Sequence, residues 1–313
     1  MIKCKFCNSE TVEIPDFETA TDYGDFHYVC KNCGAVGYEV LGHGMVWEEE
    51  NKKLETNVTE VTKMDNKLNP EYVIPRMKEF LKEKGIEKVV IGISGGKDST
   101  IVAKLMVDCL GKENVLGVLM PNGIQKDIND SKEVVKFLDI PNITVNIGRS
   151  FNALYEDMSI GLISESKRIS EDARINIAPR IRMSVLYAVA QSMGNGWRVA
   201  GTTNKSEEYI GWLTKWGDGA HDFNPIADLT VTEIYEFLRY LNAPEPILTK
   251  APSAALFEGQ TDEQEMGVTY AELDALLRGE KIDAEKQEII LRLHKRSEHK
   301  RKGIRIYGDK GRF

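Results

Sequence analysis

The chain carries no excess of positive charge. Its 313 residues include 41 Lys and Arg against 49 Asp and Glu, a formal net charge of −8 at pH 7. Proteins whose main partner is nucleic acid usually present a basic surface, so that class is disfavoured. Long apolar runs are missing as well. No stretch approaches the roughly 20 residues that cross a bilayer. The N-terminus, Met1-Ile2-Lys3-Cys4-Lys5-Phe6-Cys7, lacks the apolar segment of a secretion signal. A cytoplasmic location with no membrane partner is expected. Cysteine is scarce, five residues in all, which is too few for a disulfide-built scaffold of this size. Internal repeats and low-complexity segments are absent. The remainder, 42% hydrophobic and 29% charged, is ordinary for a globular chain of one large domain or two unequal ones.

The little cysteine present is organised. Cys4-x-x-Cys7 and Cys30-x-x-Cys33 are separated by 22 residues, with Asn8 and Gly34 following the pairs. Each Cys-x-x-Cys can turn two thiolates towards one tetrahedral Zn²⁺. Short β-like runs, 26–29 and 36–41, lie between and after the pairs. Residues 1–48 are therefore predicted to be a zinc ribbon whose folding energy comes from structural Zn²⁺ held by Cys4, Cys7, Cys30 and Cys33. His27 and His43 are bystanders, because the cysteines fill four positions. Residues 49–66 are polar and charged and read as a linker. The main domain is expected over 67–313. The fifth cysteine, Cys109, falls on an apolar helix face and reads as core.

The most informative stretch is Val89-Val90-Ile91-Gly92-Ile93-Ser94-Gly95-Gly96-Lys97-Asp98-Ser99-Thr100. β-favouring residues end at a glycine-rich loop, and a helical pattern follows with Ile101, Leu105 and Met106. Strand, glycine loop and helix place backbone N–H groups where a phosphate binds. Gly95 and Gly96 permit φ > 0 and close approach of an anion. Ser94 and Ser99 add hydroxyls. Asp98 would repel a phosphate unless a divalent cation bridges them. This is no Walker A loop: three residues, not four, separate Gly92 from Gly96, and Asp98 follows Lys97.

The chain around this loop alternates. A helical pattern through Tyr72, Ile74, Met77, Phe80 and Leu81 stops at Lys84-Gly85. Strands are predicted at 88–93, 114–120, 142–147 and 197–201. Helices are predicted at 98–110, 130–139, 150–158 and 176–193. The alternation predicts an α/β fold, a doubly wound parallel sheet with helices on both faces. Ligands of such sheets bind at the carboxyl ends of the strands, here the loops at 94–99, after Met120 and after Gly201. The last of these continues Gly201-Thr202-Thr203 and is unusually polar to Asp222. Glu207 could join Asp98 on Mg²⁺, a cation commonly shared between carboxylates and phosphates. Gly217-Asp218-Gly219 reads as a mobile loop that closes on substrate. Arg180 and Arg182, near the start of the 176–193 helix, could face an acidic ligand.

The Ser-Gly-Gly-Lys-Asp-Ser string resembles the pyrophosphate-binding loop of ATP pyrophosphatases. Further strings occur in the order seen in ammonia-dependent NAD synthetases: residues 176–183, Gly201-Thr202, Thr214-Lys215-Trp216-Gly217-Asp218-Gly219, Lys250-Ala251-Pro252-Ser253-Ala254, residues 265–270 and Ser297-Glu298-His299-Lys300-Arg301. The resemblance covers about residues 68–308 and not the cysteine-bearing segment. It implies amidation of deamido-NAD by ammonia, with ATP adenylating the carboxylate and pyrophosphate and AMP leaving. It implies that Gly92, Ile93, Ser94, Gly95, Gly96, Lys97, Asp98 and Ser99 cradle ATP, with Gln125, Thr202 and Ser253 touching it. It implies Asp98 and Glu207 on Mg²⁺, and Arg182, Lys215, Asp222, His299 and Lys300 on the dinucleotide. Asp218 would receive ammonia. A homodimer is implied too, for which Ile177, Ile181, Val185, Leu186 and Val189 are one candidate face. Free ammonia is expected as donor, since the chain has no room for a glutaminase domain.

Two positions depart from the family's common pattern. Val231 stands where a Lys is usual, and Leu119 where an Arg is usual. Both cations would have touched ATP. Two alternatives compete: a tRNA-modifying ATP pyrophosphatase, opposed by the acidic charge and the lack of a second cysteine pair in the main domain, and a non-catalytic nucleotide sensor.

Overall fold

The computed structural model describes residues 67–125, 128–249 and 262–303, and four strands closer to the N-terminus. The chain divides into two compact units, Met1–Lys63 and Met64–Phe313.

The first unit contains an antiparallel sheet in the order β1-β2-β3-β4. Its strands are β1 (Thr11–Ile14), β2 (Phe26–Cys30), β3 (Val36–Val40) and β4 (Gly44–Trp47). β2 and β3 thus fall on the runs expected at 26–29 and 36–41. Thr11 pairs with Cys30, so β1 begins opposite the end of β2. Cys4, Cys7, Cys33 and His43 lie outside the described residues, as does the expected linker at 49–66.

The second unit opens with α1 (Pro70–Glu83). The Asn69 side chain accepts the Glu71 N–H, and Pro70 needs no partner in the first turn. Gly85, at φ +63°, ends the run as expected. The chain then follows β5 (Lys88–Gly92), α2 (Lys97–Leu110), β6 (Val115–Leu119), α3 (Ile128–Leu138), β7 (Asn142–Thr144), α4 (Gly148–Ser164), α5 (Glu171–Ser192) and β8 (Trp197–Val199). All four strands are parallel, in the order β7-β6-β5-β8.

Both faces of this sheet are covered, which is why β5 and β6 read as continuous apolar runs. Val89 and Ile91 of β5 pack with Ile101 and Leu105 of α2. Between them Val90 points to the other face, where it packs with Ala178 and Ala190 of α5. The predicted sheet with helices on both faces is therefore present. Strand order runs outward from β5 through β6 to β7 on one side and jumps to β8 on the other. The reversal falls between β5 and β8, which places a crevice at their carboxyl ends.

Several boundaries differ from the sequence reading, among them α4, which runs to Ser164 rather than 158. α5 begins at Glu171, five residues before 176, because Ser170 caps it by accepting the Ala173 N–H at 3.2 Å. β7 stops at Thr144 rather than 147. Asn146 turns the chain by accepting the N–H groups of Gly123 at 3.0 Å and Gly148 at 2.9 Å.

Beyond β8 come α6 (Lys205–Ile210), α7 (Val231–Tyr240), α8 (Glu245–Thr249), α9 (Asp262–Met266), α10 (Tyr270–Leu277), α11 (Ala284–Arg296) and α12 (Glu298–Arg301). Ile210, Val231, Met266, Tyr270, Leu273 and Ile290 form a separate core there. Its polar anchor is Asp274, which is wholly buried. Its Oδ1 accepts the Ser206 hydroxyl, and its Oδ2 accepts the Thr232 N–H at 2.8 Å and the Thr232 hydroxyl. One buried carboxylate thereby ties α6, α7 and α10 together, fully satisfied by hydrogen bonds.

Candidate active site

The glycine loop runs from β5 into α2 along the crevice. Gly95 has φ +79°, and a Cβ there would lie 2.7 Å from the Asp130 Cβ and from the Ser131 backbone nitrogen. Only glycine lets this turn pass under the start of α3. Ser94 and Ser99 fix the turn from within. Their hydroxyls are 3.0 Å apart, Ser99 Oγ accepts the Ser94 N–H at 3.2 Å, and Ser94 Oγ accepts the Gly96 N–H at 3.2 Å. No side chain caps α2 at Gly96. The helix N-terminus thus keeps the electropositive character that suits a phosphate.

Asp98 and Glu207 meet beside this terminus. Lys97 Nζ lies 2.8 Å from Asp98 Oδ2 and 3.8 Å from Glu207 Oε1. Asn204 holds both carboxylates. Its amide donates to Asp98 Oδ1 at 3.0 Å, and its Oδ1 accepts the Glu207 N–H at 2.9 Å. Glu207 returns a bond to the Asn204 N–H, completing a capping box at the start of α6. Burial and the nearby Asp98 charge push the Glu207 carboxyl up to about 8. Burial works against the Lys97 charge, yet the Asp98 and Glu207 carboxylates outweigh it and raise its pKa. Lys97 hydrogen-bonds Asp98 and only approaches Glu207, so Glu207 is the carboxyl left short of compensation. The oxygen donors Asp98 and Glu207, facing one point beside a phosphate-type loop, fit a Mg²⁺ completed by substrate oxygens. Among the described residues no cluster of three or more His, Cys, Asp or Glu forms a self-sufficient metal site.

Asp222 closes the end of β8: its Oδ2 accepts the Val199 N–H at 2.8 Å and its Oδ1 accepts the Tyr187 hydroxyl at 3.3 Å. Lys300 donates to the carbonyls of Gly211 and Leu213, each at 2.7 Å. Lys215 donates to the His299 carbonyl at 2.5 Å, and its ammonium lies 5.3 Å from the Trp216 ring centroid. Arg182 Nε donates to the Met120 carbonyl at 3.2 Å, at the end of β6. The Gly217–Gly219 run, expected to be mobile, is a hydrogen-bonded turn. Thr214 O accepts the N–H groups of Gly217 at 2.9 Å and Gly219 at 3.3 Å, while Asp218 Oδ1 accepts the Thr214 N–H at 2.9 Å. Asp218 is an exposed residue whose carboxyl is nonetheless crowded by this turn, and that desolvation raises its pKa. Thr202 sits just past β8, half-buried. Gln125 follows the turn that Asn146 pins. Ser253 lies outside the described residues.

Leu119 and Val231, where cations are usual, are core residues. Leu119 packs in the sheet core and Val231 beside Tyr270. The cation present at the carboxylates is Lys97, whose Nζ also lies 5.6 Å from the Tyr270 ring centroid. Sequence reasoning missed Asn204 and Tyr270. The spacing Asn204-x-x-Glu207 was a readable capping-box signal; Tyr270 ends the 265–270 string, but nothing in that string showed that its ring meets Lys97. It also missed His221, whose ring packs on Gly201 so closely that a Cβ there would come within 2.5 Å. Burial lowers the His221 pKa.

The NAD synthase family model matches residues 71–303. The chain belongs to the NAD synthase family. It is 40% identical over 250 residues to the NH(3)-dependent NAD(+) synthetase of Pyrococcus furiosus, covering 75% of this chain and 94% of the relative. The Pyrococcus horikoshii protein of the same name is 43% identical over 249 residues, covering 75% and 93%. Among solved structures, NMN synthetase from Francisella tularensis superposes with a TM-score of 0.69 at 36% identity, covering 78% of this chain and 99% of that one. NH3-dependent NAD synthetase from Campylobacter jejuni gives 0.60 at 30%, covering 77% and 97%. This family assignment favours a C–N-bond-forming ligase that consumes ATP over the tRNA-modifying alternative. Among the described residues no helix is long and apolar enough to cross a membrane.

Proposed function

We propose that this site amidates deamido-NAD with ammonia in two steps at one place. In the first, the nicotinate carboxylate attacks the α-phosphorus of ATP, and the bond to the β-phosphate oxygen breaks. The products are a carboxyl-adenylate and pyrophosphate. In the second, ammonia attacks the adenylated carbonyl carbon; AMP leaves and one proton is released. The observation that carries this reading is the uncapped α2 terminus behind Gly95-Gly96, set beside the Asp98–Glu207 pair at the β5/β8 crevice.

Residues 92–99 hold the phosphates, and Gln125, Thr202 and Ser253 contact ATP. Asp98 and Glu207 carry the Mg²⁺, which neutralises charge on the phosphates. Catalysis of this kind is positional and electrostatic. Arg182, Lys215, Asp222, His299 and Lys300 form the dinucleotide side, in part by fixing the loops that line it. Asp218, on its tight turn, receives ammonia and takes the released proton.

The active form is a homodimer in this reading. Besides α5, the exposed apolar residues Leu154, Ile160 and Ile163 of α4 support a covered surface. A cytoplasmic location suits an enzyme fed by ATP and ammonia. In this reading the first unit is a zinc ribbon; the β1–β2 register, with Thr11 opposite Cys30, supports it. Metal analysis of the purified chain is expected to find one Zn²⁺, lost on Cys30→Ser.

The deciding assay incubates the protein with ATP, Mg²⁺, deamido-NAD and ammonium, and measures NAD and pyrophosphate. A parallel reaction replaces ammonium with glutamine. NAD is expected only with ammonium. Absence of NAD from both reactions, with ATP binding intact, favours the nucleotide sensor. The likeness to an NMN synthetase supports a second acceptor, the nicotinate mononucleotide, which carries the same carboxylate. A kcat/KM higher for the mononucleotide would replace the dinucleotide as the preferred substrate.

A further inference from the structure

Lys97 is the first residue of α2, yet its side chain is not in solvent: it is 6% exposed. Its ammonium sits 2.8 Å from Asp98 and 3.8 Å from Glu207, with the Tyr270 ring on a further side. Asn204 satisfies the other oxygen of Asp98 at 3.0 Å. Both carboxyl groups crowd one cation, and removing that cation would leave Asp98 and Glu207 facing each other without a counter-charge, which is strongly unfavourable where water is scarce. A divalent ion bound to the same oxygens at about 2.1 Å would need the space and the charge balance that the ammonium now supplies.

We propose that Lys97 is a built-in counter-ion. It keeps the Asp98–Glu207 pair assembled in the nucleotide-free enzyme and excludes a lone divalent cation from it, so that the metal enters as its nucleotide complex. The inference rests on the reading that these two carboxylates hold the metal. Its physical basis is an exchange of partners. Free Mg²⁺ dehydrates reluctantly and would leave the Lys97 ammonium buried without a counter-charge. Mg²⁺ arriving on a triphosphate brings new anionic oxygens. The long lysine stem can then swing its ammonium from the carboxylates to those oxygens while the metal takes its place. The same swing supplies ATP with a cation in a chain that has Leu119 and Val231 at the two usual cationic positions.

The test counts bound Mn²⁺ by the EPR signal of the free ion, using the full chain loaded with zinc and no nucleotide. The wild type is expected to bind Mn²⁺ weakly, and Lys97→Met to gain a site about tenfold tighter or more, since a competing cation has been removed. Lys97→Arg, which keeps the charge, should behave like the wild type. Adding a non-hydrolysable ATP analogue should restore tight Mn²⁺ binding to the wild type. Equal Mn²⁺ binding by wild type and Lys97→Met, both folded by circular dichroism, overturns the proposal. Should Lys97→Met not fold, Lys97→Gln takes its place in the same comparison. The double variant Lys97→Met/Asp98→Asn separates the two layers. Loss of the new site supports both, whereas its persistence removes Asp98 from the metal and overturns the underlying site reading.

Discussion

At the proposed phosphate end of the site, polar side chains bond to one another, in part across long sequence separations. Lys97 meets Asp98 and Glu207, and Asn204 bridges to Asp98. At the proposed dinucleotide end, by contrast, the charged residues are engaged with backbone. Lys300 holds two carbonyls, Lys215 one, and Asp222 a strand N–H. The first end is a preassembled ion cluster beside an uncapped helix. The second is a set of clamps that shape loops. A charged residue in a recognisable motif can therefore serve the scaffold as well as the ligand, and the two roles leave different signatures on stability.

The comparison can be broken most strongly beneath the phosphate end. Asp274→Leu leaves the Ser206 hydroxyl and both Thr232 donors buried without an acceptor. It is expected to cost about 3–5 kcal/mol in a urea melt, the range for breaking a buried charged network. Gly95→Val forces a β-branched residue into φ +79° and into contact with α3. It should lose about 3 kcal/mol and abolish ATP binding by calorimetry. Asp98→Asn keeps the shape and removes the charge. Turnover is expected to fall about a hundredfold, equivalent to roughly 3 kcal/mol of barrier, together with a lower melting temperature because the buried Lys97 ammonium loses its hydrogen-bonded carboxylate. Near-normal turnover would remove Asp98 from the chemistry.

The dinucleotide end should respond differently. Lys300→Met releases the two carbonyls after α6 and is expected to cost about 1–2 kcal/mol of stability while raising KM for the dinucleotide. A raised KM with no change in melting would make Lys300 a pure ligand contact. The smallest effect concerns His221. Burial lowers its folded pKa below the ordinary 6.5. The unfolded chain then binds more protons as pH falls, so the stability from neutral His221 is present above about pH 6.5 and lost below it. His221→Gln should flatten that part of the acid limb in melts between pH 5 and 7.

Legibility differed along the chain for physical reasons. The glycine loop was readable because its constraints are local: a positive φ at Gly95 and a helix starting at Lys97. Strands β5 and β6 were readable because burial on both faces forces continuous apolar runs. Helix α5 was misplaced at its start, since the Ser170 cap lies outside the apolar pattern. The Gly217–Gly219 run was legible as a loop from its glycines, but not the turn into which the Thr214 carbonyl and the Asp218 carboxylate fold it. The expected loss of two ATP-binding cations looked different once Leu119 and Val231 proved to be core and Lys97 proved to be beside the carboxylates.

The sequence by itself determined the family, the parallel α/β alternation, the loop that suits a phosphate and the residue types around it. These follow from periodicity, glycine torsions and ordered strings of residues, all of which are short-range. Only the tertiary structure decided which charges meet. Asp98 and Glu207 are brought together because β5 and β8 are neighbours in the sheet, although much of the chain separates them. Tyr270 reaches Lys97 because α10 packs on α6 and α7 through Asp274. Electrostatic pairing depends on distances of a few ångströms, and those are fixed by strand order and helix packing rather than by any local pattern.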